Sequence, residues 1–483
     1  MVGSPPRFSR AHYAECLARA MRPATNLRNE SALAFLATGT QGAARFLTSW
    51  LVGRLGGAVA LGTMMSGFAL AQFLAILGPQ PAGTAASKFG SAENASKMND
   101  NEYDGATLHV AIRVLQVLPL LCIASVAFAM VGYQATLLEA LCVSASLFGL
   151  CVAALGKGIL YGQRKIPAAV AVEIALATVS VIALLAFLYV GVRGLYLLLP
   201  LAASQLLFLP VIVASVDRIP ASDKVRREID KFLFYGVLGS LASAGFLHIT
   251  LVIVRIVGGE VQAGYFSGAV AIASPILLIT TTFTQVFYPR LSQSWTMKDL
   301  GTYRSITDRF TRAVSAAIFL PLSCLVVFGS EVISLLWGPS FSETGRLLPL
   351  IVVAVLLRGL TAVSVASLTA GPAWGMKFSA RSSMLGAVVG LAVTLPSVLF
   401  FGAFGGALGY LVGSAVVAIL PFIAAWKRGK YSWGHLTVRY LAGIGLIGII
   451  LVCKGSMGSV WPTVCLIAVW FIVALPDFRR IVA

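Results

Sequence analysis

The chain has 483 residues, of which 58% are hydrophobic and only 11% are charged. Because about a quarter of the residues in a soluble domain are usually charged, this composition excludes a soluble multidomain protein and indicates a polytopic membrane protein. The formal net charge is +18. In a membrane protein such an excess marks the cytoplasmic loops, so we expect the lipid bilayer as a partner and no nucleic acid.

The first 30 residues are rich in arginine and contain no apolar core, so they do not match a signal peptide. We expect residues 1–30 to be a basic cytoplasmic tail. Three interpretations stay open for its first part. Residues 11–21 form a short amphipathic helix on the membrane surface, or the tail is disordered, or translation begins at Met21.

From Ser31 onward, apolar runs follow one another to the end of the chain. Each is about 20 residues long, which is enough to cross a bilayer as a helix. They predict an all-α membrane protein with about 14 transmembrane helices. The predicted spans are 31–52, 58–83, 106–132, 135–156, 167–190, 194–215, 236–257, 264–288, 310–329, 345–370, 382–401, 404–426, 437–453 and 459–476.

The basic residues give these spans an orientation. With the N-terminus inside, most of the 36 lysines and arginines fall in loops on the cytoplasmic side, Lys157 among them. The opposite side receives Arg54, Arg193, Arg255, Arg346 and Lys454, and three further arginines lie within spans. Because cytoplasmic loops are enriched in Lys and Arg, this alternation predicts that both termini are cytoplasmic.

An internal repeat divides the predicted spans into two groups of six. The turn at 54–62 resembles the turn at 256–264, and Gly56-Gly57 corresponds to Gly258-Gly259. Weaker matches follow in the same order, 131–133 with 337–339 and 193–194 with 405–406. Both copies begin inside, so the repeat is parallel, with its axis along the membrane normal. The predicted domains are the tail 1–30, an N-lobe 31–216, a cytoplasmic linker 217–231, a C-lobe 232–426, and two further helices with a short tail in 427–483.

Charges inside the spans are the candidate functional residues, because an ionisable group in a bilayer is costly and is kept for a reason. Arg45 lies near the middle of the first span, with Gln41 and Ser49 one turn away on either side. Arg113, in the third span, shares a helix face with Gln116, and Arg358 lies in the middle of the tenth. We expect Arg45, Arg113, Arg358, Gln41 and Gln116 to line a cavity that binds an anion.

Weaker candidates are Arg255, Glu173 and His248. Arg255 lies near the outer end of its span, where a long side chain extends to the interface. Glu173 is a candidate for a coupling-ion site, and His248 for a core histidine. The structural alternative is an ion pair within one lobe, in which Glu173 binds either Arg113 or Arg45.

The sequence shows no arrangement typical of an enzyme. It contains no paired-carboxylate site, no Ser/His/Asp grouping and no phosphate-binding loop, so we expect no catalytic residues and no direct use of ATP. The seven cysteines lie mostly in apolar runs without metal-ligand spacing. We therefore expect no metal and no cofactor, and the identity of any coupling ion stays open.

Three stretches together resemble the polysaccharide transporter family, which includes the O-antigen and other lipid-linked oligosaccharide flippases. They are GRLGGAVALGTMMSGFALAQ, GGEVQAGYFSGAVAIASP and EVISLLWGPSFSETGRLLPLI. The family is a branch of the multidrug, oligosaccharidyl-lipid and polysaccharide exporter superfamily. The resemblance covers about residues 31–426 and implies two six-helix bundles in a V around a central cavity, as in MATE exporters. Unlike cation-coupled drug exporters, the chain has Arg45 in its first span where they have an acidic residue.

The resemblance implies a flippase in the bacterial inner membrane. It would move an undecaprenyl-pyrophosphate-linked glycan, such as a precursor of lipopolysaccharide, O-antigen or exopolysaccharide, and Arg45, Arg113 and Arg358 would bind its pyrophosphate. We expect a monomer, with other glycan-assembly proteins as further candidate partners. Two alternatives stay open. One is a drug or small-cation exporter of the same fold; the other is a membrane glycan polymerase or ligase, which the short outer loops disfavour.

Overall fold

A computed structural model describes residues 24–96, 103–216, 219–371, 373–453 and 461–482, and this part of the chain is helical almost throughout. The predicted tail 1–30 lies largely outside it. The helices are α1 (Ala24–Ile76), α2 (Pro79–Ser96), α3 (Ala106–Gly132), α4 (Leu137–Gly162), α5 (Ile166–Tyr189), α6 (Gly194–Ser215, which includes two 3-10 turns), α7 (Asp223–Ser240), α8 (Phe246–Thr296), α9 (Leu300–Trp337), α10 (Ser342–Ala370), α11 (Ala373–Phe401), α12 (Ala403–Gly429), α13 (Gly434–Cys453) and α14 (Trp461–Val482).

By length and composition, 11 helices in the described residues are able to cross a membrane. Two of them, α1 and α8, each run over two predicted spans, and the last predicted span falls on α14, whose apolar stretch Val464–Ala474 is shorter. The all-helical, multi-pass membrane architecture predicted from the sequence is therefore confirmed. The observed helices also extend beyond the predicted spans, because polar residues continue the helix outside the apolar stretch.

The chain reverses direction within α1, at Gly57. This residue has φ 76° and ψ −174°, a conformation that glycine adopts without steric cost. Its effect is visible in Ser49 and Met65, whose side chains lie 3.8 Å apart. Along a straight helix, residues separated in this way would lie about 24 Å apart. Hence α1 is a hairpin of two antiparallel helices, as the sequence predicted.

The equivalent turn in α8 has nearly the same geometry, with φ 84° and ψ −176° at Gly259. The two hairpins also pack against each other in a reciprocal way. A Cβ atom at Gly62 would lie 1.9 Å from the backbone oxygen of Glu260, and a Cβ atom at Gly264 would lie 2.0 Å from that of Ala58. Since residue pairs exchange roles across this contact, it has the character of a two-fold relation, which agrees with the parallel repeat.

The predicted linker 217–231 is shorter in the structure, because α7 already begins at Asp223. Ser222 caps this helix by accepting a hydrogen bond from the backbone N–H of Val225. Val225 and Ile229 are one turn apart and are buried, so this polar segment forms an amphipathic helix. A π-helical turn, Leu241–Gly245, then leads from α7 into α8. The division into lobes at 216 and 232 stays a prediction.

Candidate functional site

A polar cavity lies inside the first half of the protein, among α1, α2, α4, α5 and α6. It consists of two adjoining spaces of about 140 and 60 Å³. Both are lined by Gln41, Arg45, Glu173, Leu176 and Gln205, and the larger one also by Gln72, Gln80 and Lys157. We call this space the Arg45 cavity. It contains three of the residues that the sequence predicted for a site.

Arg45 is the central charge of this cavity. Its side chain lines both spaces of the cavity, although the helix around it is apolar. The guanidinium lies 5.8 Å from the centre of the Phe68 ring, within range of a cation–π contact. Within the described residues Arg45 makes no salt bridge. It lies close enough to Glu173 and to His248 of α8 to interact with both electrostatically.

Glu173 is paired, but with neither of the two arginines considered for it. Its Oε1 accepts a hydrogen bond from Nζ of Lys157 at 2.6 Å, and the carboxylate side chain is only 4% exposed. Lys157 follows the predicted span 135–156, so a cytoplasmic loop was expected for it. In the structure α4 continues past it to Gly162, so that Lys157 faces α5 across the cavity. A buried carboxylate without such a partner would be strongly destabilising.

The charges of the cavity leave one positive charge uncompensated, since Arg45 and Lys157 face the single carboxylate of Glu173. The rest of its polar lining consists of the side-chain amides of Gln41, Gln72, Gln80 and Gln205 and, in the smaller space, the hydroxyls of Thr48, Ser180 and Ser204. Among the described residues, neither Gln72 Nε2 nor Gln205 Oε1 has a hydrogen-bond partner, although both atoms are buried. Amides both donate and accept hydrogen bonds, so the cavity combines a net cation with groups suited to an oxygen-rich ligand.

Arg113 and Gln116 lie elsewhere, at the end of α3 predicted to be cytoplasmic. Arg113 donates two hydrogen bonds to the Asp230 carboxylate of α7, one of them from Nε at 2.8 Å, and a third to Oε1 of Gln116 at 3.0 Å. His109 Nε2 lies 3.1 Å from the same carboxylate. The hydrogen bonds from Arg113 hold the pKa of Asp230 below its ordinary value of 3.8, and His109 lowers it further. We call this cluster the α3–α7 latch.

The other predicted residues do not line the Arg45 cavity. Arg358 is half-buried in α10 and does not line it. Arg255 pairs with Glu260 across the Gly259 turn and lies over the Tyr133 ring at 5.5 Å. His248 belongs to α8, just beyond the π-helical turn. Of the predicted anion ligands, the structure therefore brings Gln41 and Arg45 together, and it adds Lys157 and three glutamines.

Two tryptophans join the two halves at the end predicted to be outside. Trp50 Nε1 donates a hydrogen bond to the backbone oxygen of Leu336 at 3.1 Å, and Trp337 Nε1 donates one to that of Trp50 at 3.2 Å. Gly53 makes this approach possible, because a Cβ atom there would lie 2.4 Å from Trp337 Nε1. The first half is thus fixed to α9 at this end.

Comparison with known proteins identifies similar folds and one distant relative. No family model matches the sequence. A probable low-salt glycan biosynthesis flippase, Agl15 of Haloferax volcanii, is 19% identical over 242 residues, or 49% of this chain. The chain spans about half the length of that curated relative, 50%.

Among solved structures, the inward closed conformation of the lipid II flippase MurJ has a TM-score of 0.70 at 13% identity. That match covers 92% of this chain and 99% of MurJ. An inward-facing multidrug resistance MATE family transporter of the MOP superfamily has a TM-score of 0.62 at 16% identity, over 82% of this chain and 94% of the transporter. At these identities the likeness establishes the fold. The MATE-like fold implied by the sequence resemblance is therefore confirmed.

Proposed function

We propose that this protein is a flippase that moves an anionic lipid-linked glycan precursor across a membrane by alternating access. The observation that carries the proposal is Arg45, an arginine without a salt bridge among the described residues, which faces a polar cavity inside an apolar helix bundle. An arginine in this position is costly unless it meets an anion. Phosphate is a suitable one, because the planar guanidinium donates two hydrogen bonds to it and stays ionised.

The size of the cavity limits what it holds. Its larger space of about 140 Å³ is smaller than the range of about 300–1,000 Å³ in which drug-sized ligands bind. In this proposal the pyrophosphate binds Arg45, and the glutamines hydrogen-bond the nearest oxygen atoms. The carbohydrate lies between the halves, and the polyprenyl chain stays in lipid. Opening at the Trp50–Trp337 end, with closure at the opposite end, then releases the head group outside.

Two comparisons support this proposal, since the sequence relative is a probable glycan biosynthesis flippase and MurJ is a lipid II flippase. The competing function is export of drugs or small cations, which the likeness to a multidrug transporter supports to the same extent. The charge of the cavity favours the anionic substrate, because its one carboxylate is already paired with Lys157. A cationic substrate would meet an uncompensated arginine there. The bacterial inner membrane, cytoplasmic termini and a monomeric state belong to the same proposal.

The experiment compares the two functions in one host. Wild-type protein and Arg45→Gln are expressed in a bacterial strain lacking its own lipid-linked glycan flippase and, separately, in a strain lacking its drug exporters. We expect the wild type to restore surface glycan and Arg45→Gln to restore none, with equal amounts of protein in the membrane. The proposal would be contradicted if the wild type conferred drug resistance and restored no glycan export in any of several hosts that make different glycans.

A further inference from the structure

A second cavity, of about 250 Å³, lies in the other half of the molecule, on the side predicted to be cytoplasmic. It forms where the ends of α8, α9, α10, α11 and α12 meet. Its lining includes Trp295, Tyr303, Arg304, Trp374, Arg428 and Tyr431. We call it the Arg304–Arg428 pocket. Two cations and four aromatic rings face it, and none of its lining residues is acidic.

The two nearby carboxylates have other hydrogen-bond partners and form no ion pair with these cations. Asp308 accepts hydrogen bonds from Arg312, at 2.9 and 3.2 Å, and from Trp433 Nε1 at 2.8 Å. Asp299 caps α9 by accepting from the backbone N–H of Thr302 at 2.9 Å. Neither Arg304 nor Arg428 forms a salt bridge within the described part of the chain. The pocket therefore has a net positive charge.

The rings around the pocket hold its cations and walls in place. The Arg428 guanidinium lies over the Trp374 ring, 4.0 Å from its centre. Stacking on this face leaves the N–H donors in the guanidinium plane available to an anion. Tyr303 is buried and donates its hydroxyl hydrogen bond to the backbone oxygen of Ser367, which fixes α9 to α10. Tyr431 stacks on Trp433, with ring centres 4.4 Å apart.

The two arginines lie near opposite ends of their helices, so the helix dipoles affect them differently. Arg428 lies in the last turn of α12, where a cation is favourable in any case. Arg304 is the fifth residue of α9, just beyond its first turn, so the dipole does not favour a cation there as it does at Arg428. Both arginines line the same pocket, where one anion would meet both positive charges.

We propose that the Arg304–Arg428 pocket binds the phosphate group of an anionic phospholipid. The pocket lies at the ends of apolar helices, and tryptophan and tyrosine at such ends are typical of the level of lipid head groups. Basic pockets between transmembrane helices on the cytoplasmic side are suited to anionic lipid heads. This site is separate from the Arg45 cavity and does not depend on the function proposed for it. The same phosphate chemistry is offered by soluble phosphate compounds, which the experiment distinguishes.

The experiment measures lipid contact at Trp374 by fluorescence quenching. Purified full-length protein is placed in phosphatidylcholine nanodiscs that contain increasing fractions of brominated phosphatidylglycerol or, in a matched series, brominated phosphatidylcholine. The signal lost in Trp374→Phe defines the contribution of Trp374. We expect brominated phosphatidylglycerol to quench it at a lower lipid fraction than brominated phosphatidylcholine. Arg304→Gln and Arg428→Gln should each raise the half-saturating fraction about fivefold.

The controls separate a specific site from general surface charge. Lys427→Gln removes a charge beside Arg428 that does not line the pocket, so it should leave the quenching curve unchanged. Arg428→Lys keeps the charge and should lie between wild type and Arg428→Gln. Inorganic phosphate added to the nanodiscs should leave the quenching unchanged; if it abolishes the phosphatidylglycerol effect, the pocket belongs to a soluble phosphate compound. Equal quenching by both brominated lipids, or an equal effect of Lys427→Gln, would also overturn the proposal.

Discussion

Lys157 and Glu173 form an ion pair across the Arg45 cavity, with Nζ and Oε1 2.6 Å apart. Lys157 is 22% exposed to the cavity and Glu173 only 4%. This pair determines the net charge that the cavity presents to a ligand. Because Glu173 is engaged by Lys157 from α4, it does not neutralise Arg45 from α1, and the cavity keeps one net positive charge.

The first prediction concerns this pair. Lys157→Met leaves the Glu173 carboxylate buried without its partner and should lower the free energy of unfolding by about 3–5 kcal/mol. The double variant Lys157→Met/Glu173→Gln removes both charges and should recover most of that loss. Thermal unfolding of the three purified proteins in one detergent measures the difference. If the double variant were as unstable as Lys157→Met, the pair would not be the source of the effect.

The second prediction concerns the contact between the hairpins. In Gly62→Ala the new methyl group would overlap the backbone oxygen of Glu260, and in Gly264→Ala that of Ala58. Each substitution should lower stability by about 1–3 kcal/mol, because backbone atoms must move. Gly445→Ala is the matched control, since nothing lies within 4 Å of its Cβ position. Equal melting temperatures for Gly62→Ala and Gly445→Ala would show that the hairpins do not meet as described.

The sequence predicted this part of the fold well because its cause is local. Gly57 and Gly259 each end an apolar run, and a glycine pair before the next run is enough to predict a turn without any tertiary information. Arg45 could be placed in a polar cavity for a similar reason, since a charge in the middle of a span must face away from lipid.

The partners of the charged residues could not be predicted in the same way. Whether Glu173 meets Arg45, Arg113 or Lys157 depends on the rotation of α5 against α1 and α4, and no periodicity within one helix determines that. The partner of Arg113 is Asp230, which lies in a segment whose composition indicated only a linker. An amide in an apolar run, such as Gln205 in α6, was the available sign of a polar cavity.

The third prediction concerns closure at the predicted outer end. Trp50→Phe and Trp337→Phe keep an aromatic ring but each remove one N–H donor of the reciprocal pair. A hydrogen bond contributes about 1 kcal/mol, so each substitution should increase the open population about fivefold. The reaction of a cysteine at buried Thr48 with a membrane-impermeant thiol reagent measures this opening in a variant without its native cysteines. Trp426→Phe removes a hydrogen bond elsewhere and should leave the rate unchanged.

The fourth prediction concerns the α3–α7 latch and pH. The folded pKa of Asp230 lies below its ordinary value of 3.8, so its contribution is fully present above that pH and is lost as the pH falls through the folded pKa. Hydrogen exchange of α7, corrected for intrinsic rates, should therefore accelerate as the pH falls below about 4. Asp230→Asn should exchange rapidly at every pH. Exchange of wild-type α7 at pH 7 as fast as that of Asp230→Asn would contradict the ion pair with Arg113.

The last prediction separates the charge of Arg45 from its shape. A phosphate bound at Arg45 accepts two hydrogen bonds from a planar guanidinium, whereas a lysine offers the charge without that geometry. Arg45→Gln should therefore abolish surface-glycan export, and Arg45→Lys should retain a part of it, with membrane protein levels like the wild type in both.

Arg255→Gln is the matched control. It also removes an arginine within a helix, but one that is paired with Glu260 and does not line the cavity, so its export should stay close to wild type. Export by the wild type and the three variants is measured as the amount of glycan on intact cells of the complemented flippase-deficient strain. Full export by Arg45→Gln would exclude a role for Arg45 in binding the head group. Loss of Arg45→Gln protein from the membrane would instead show that Arg45 stabilises the fold through Phe68 and Glu173.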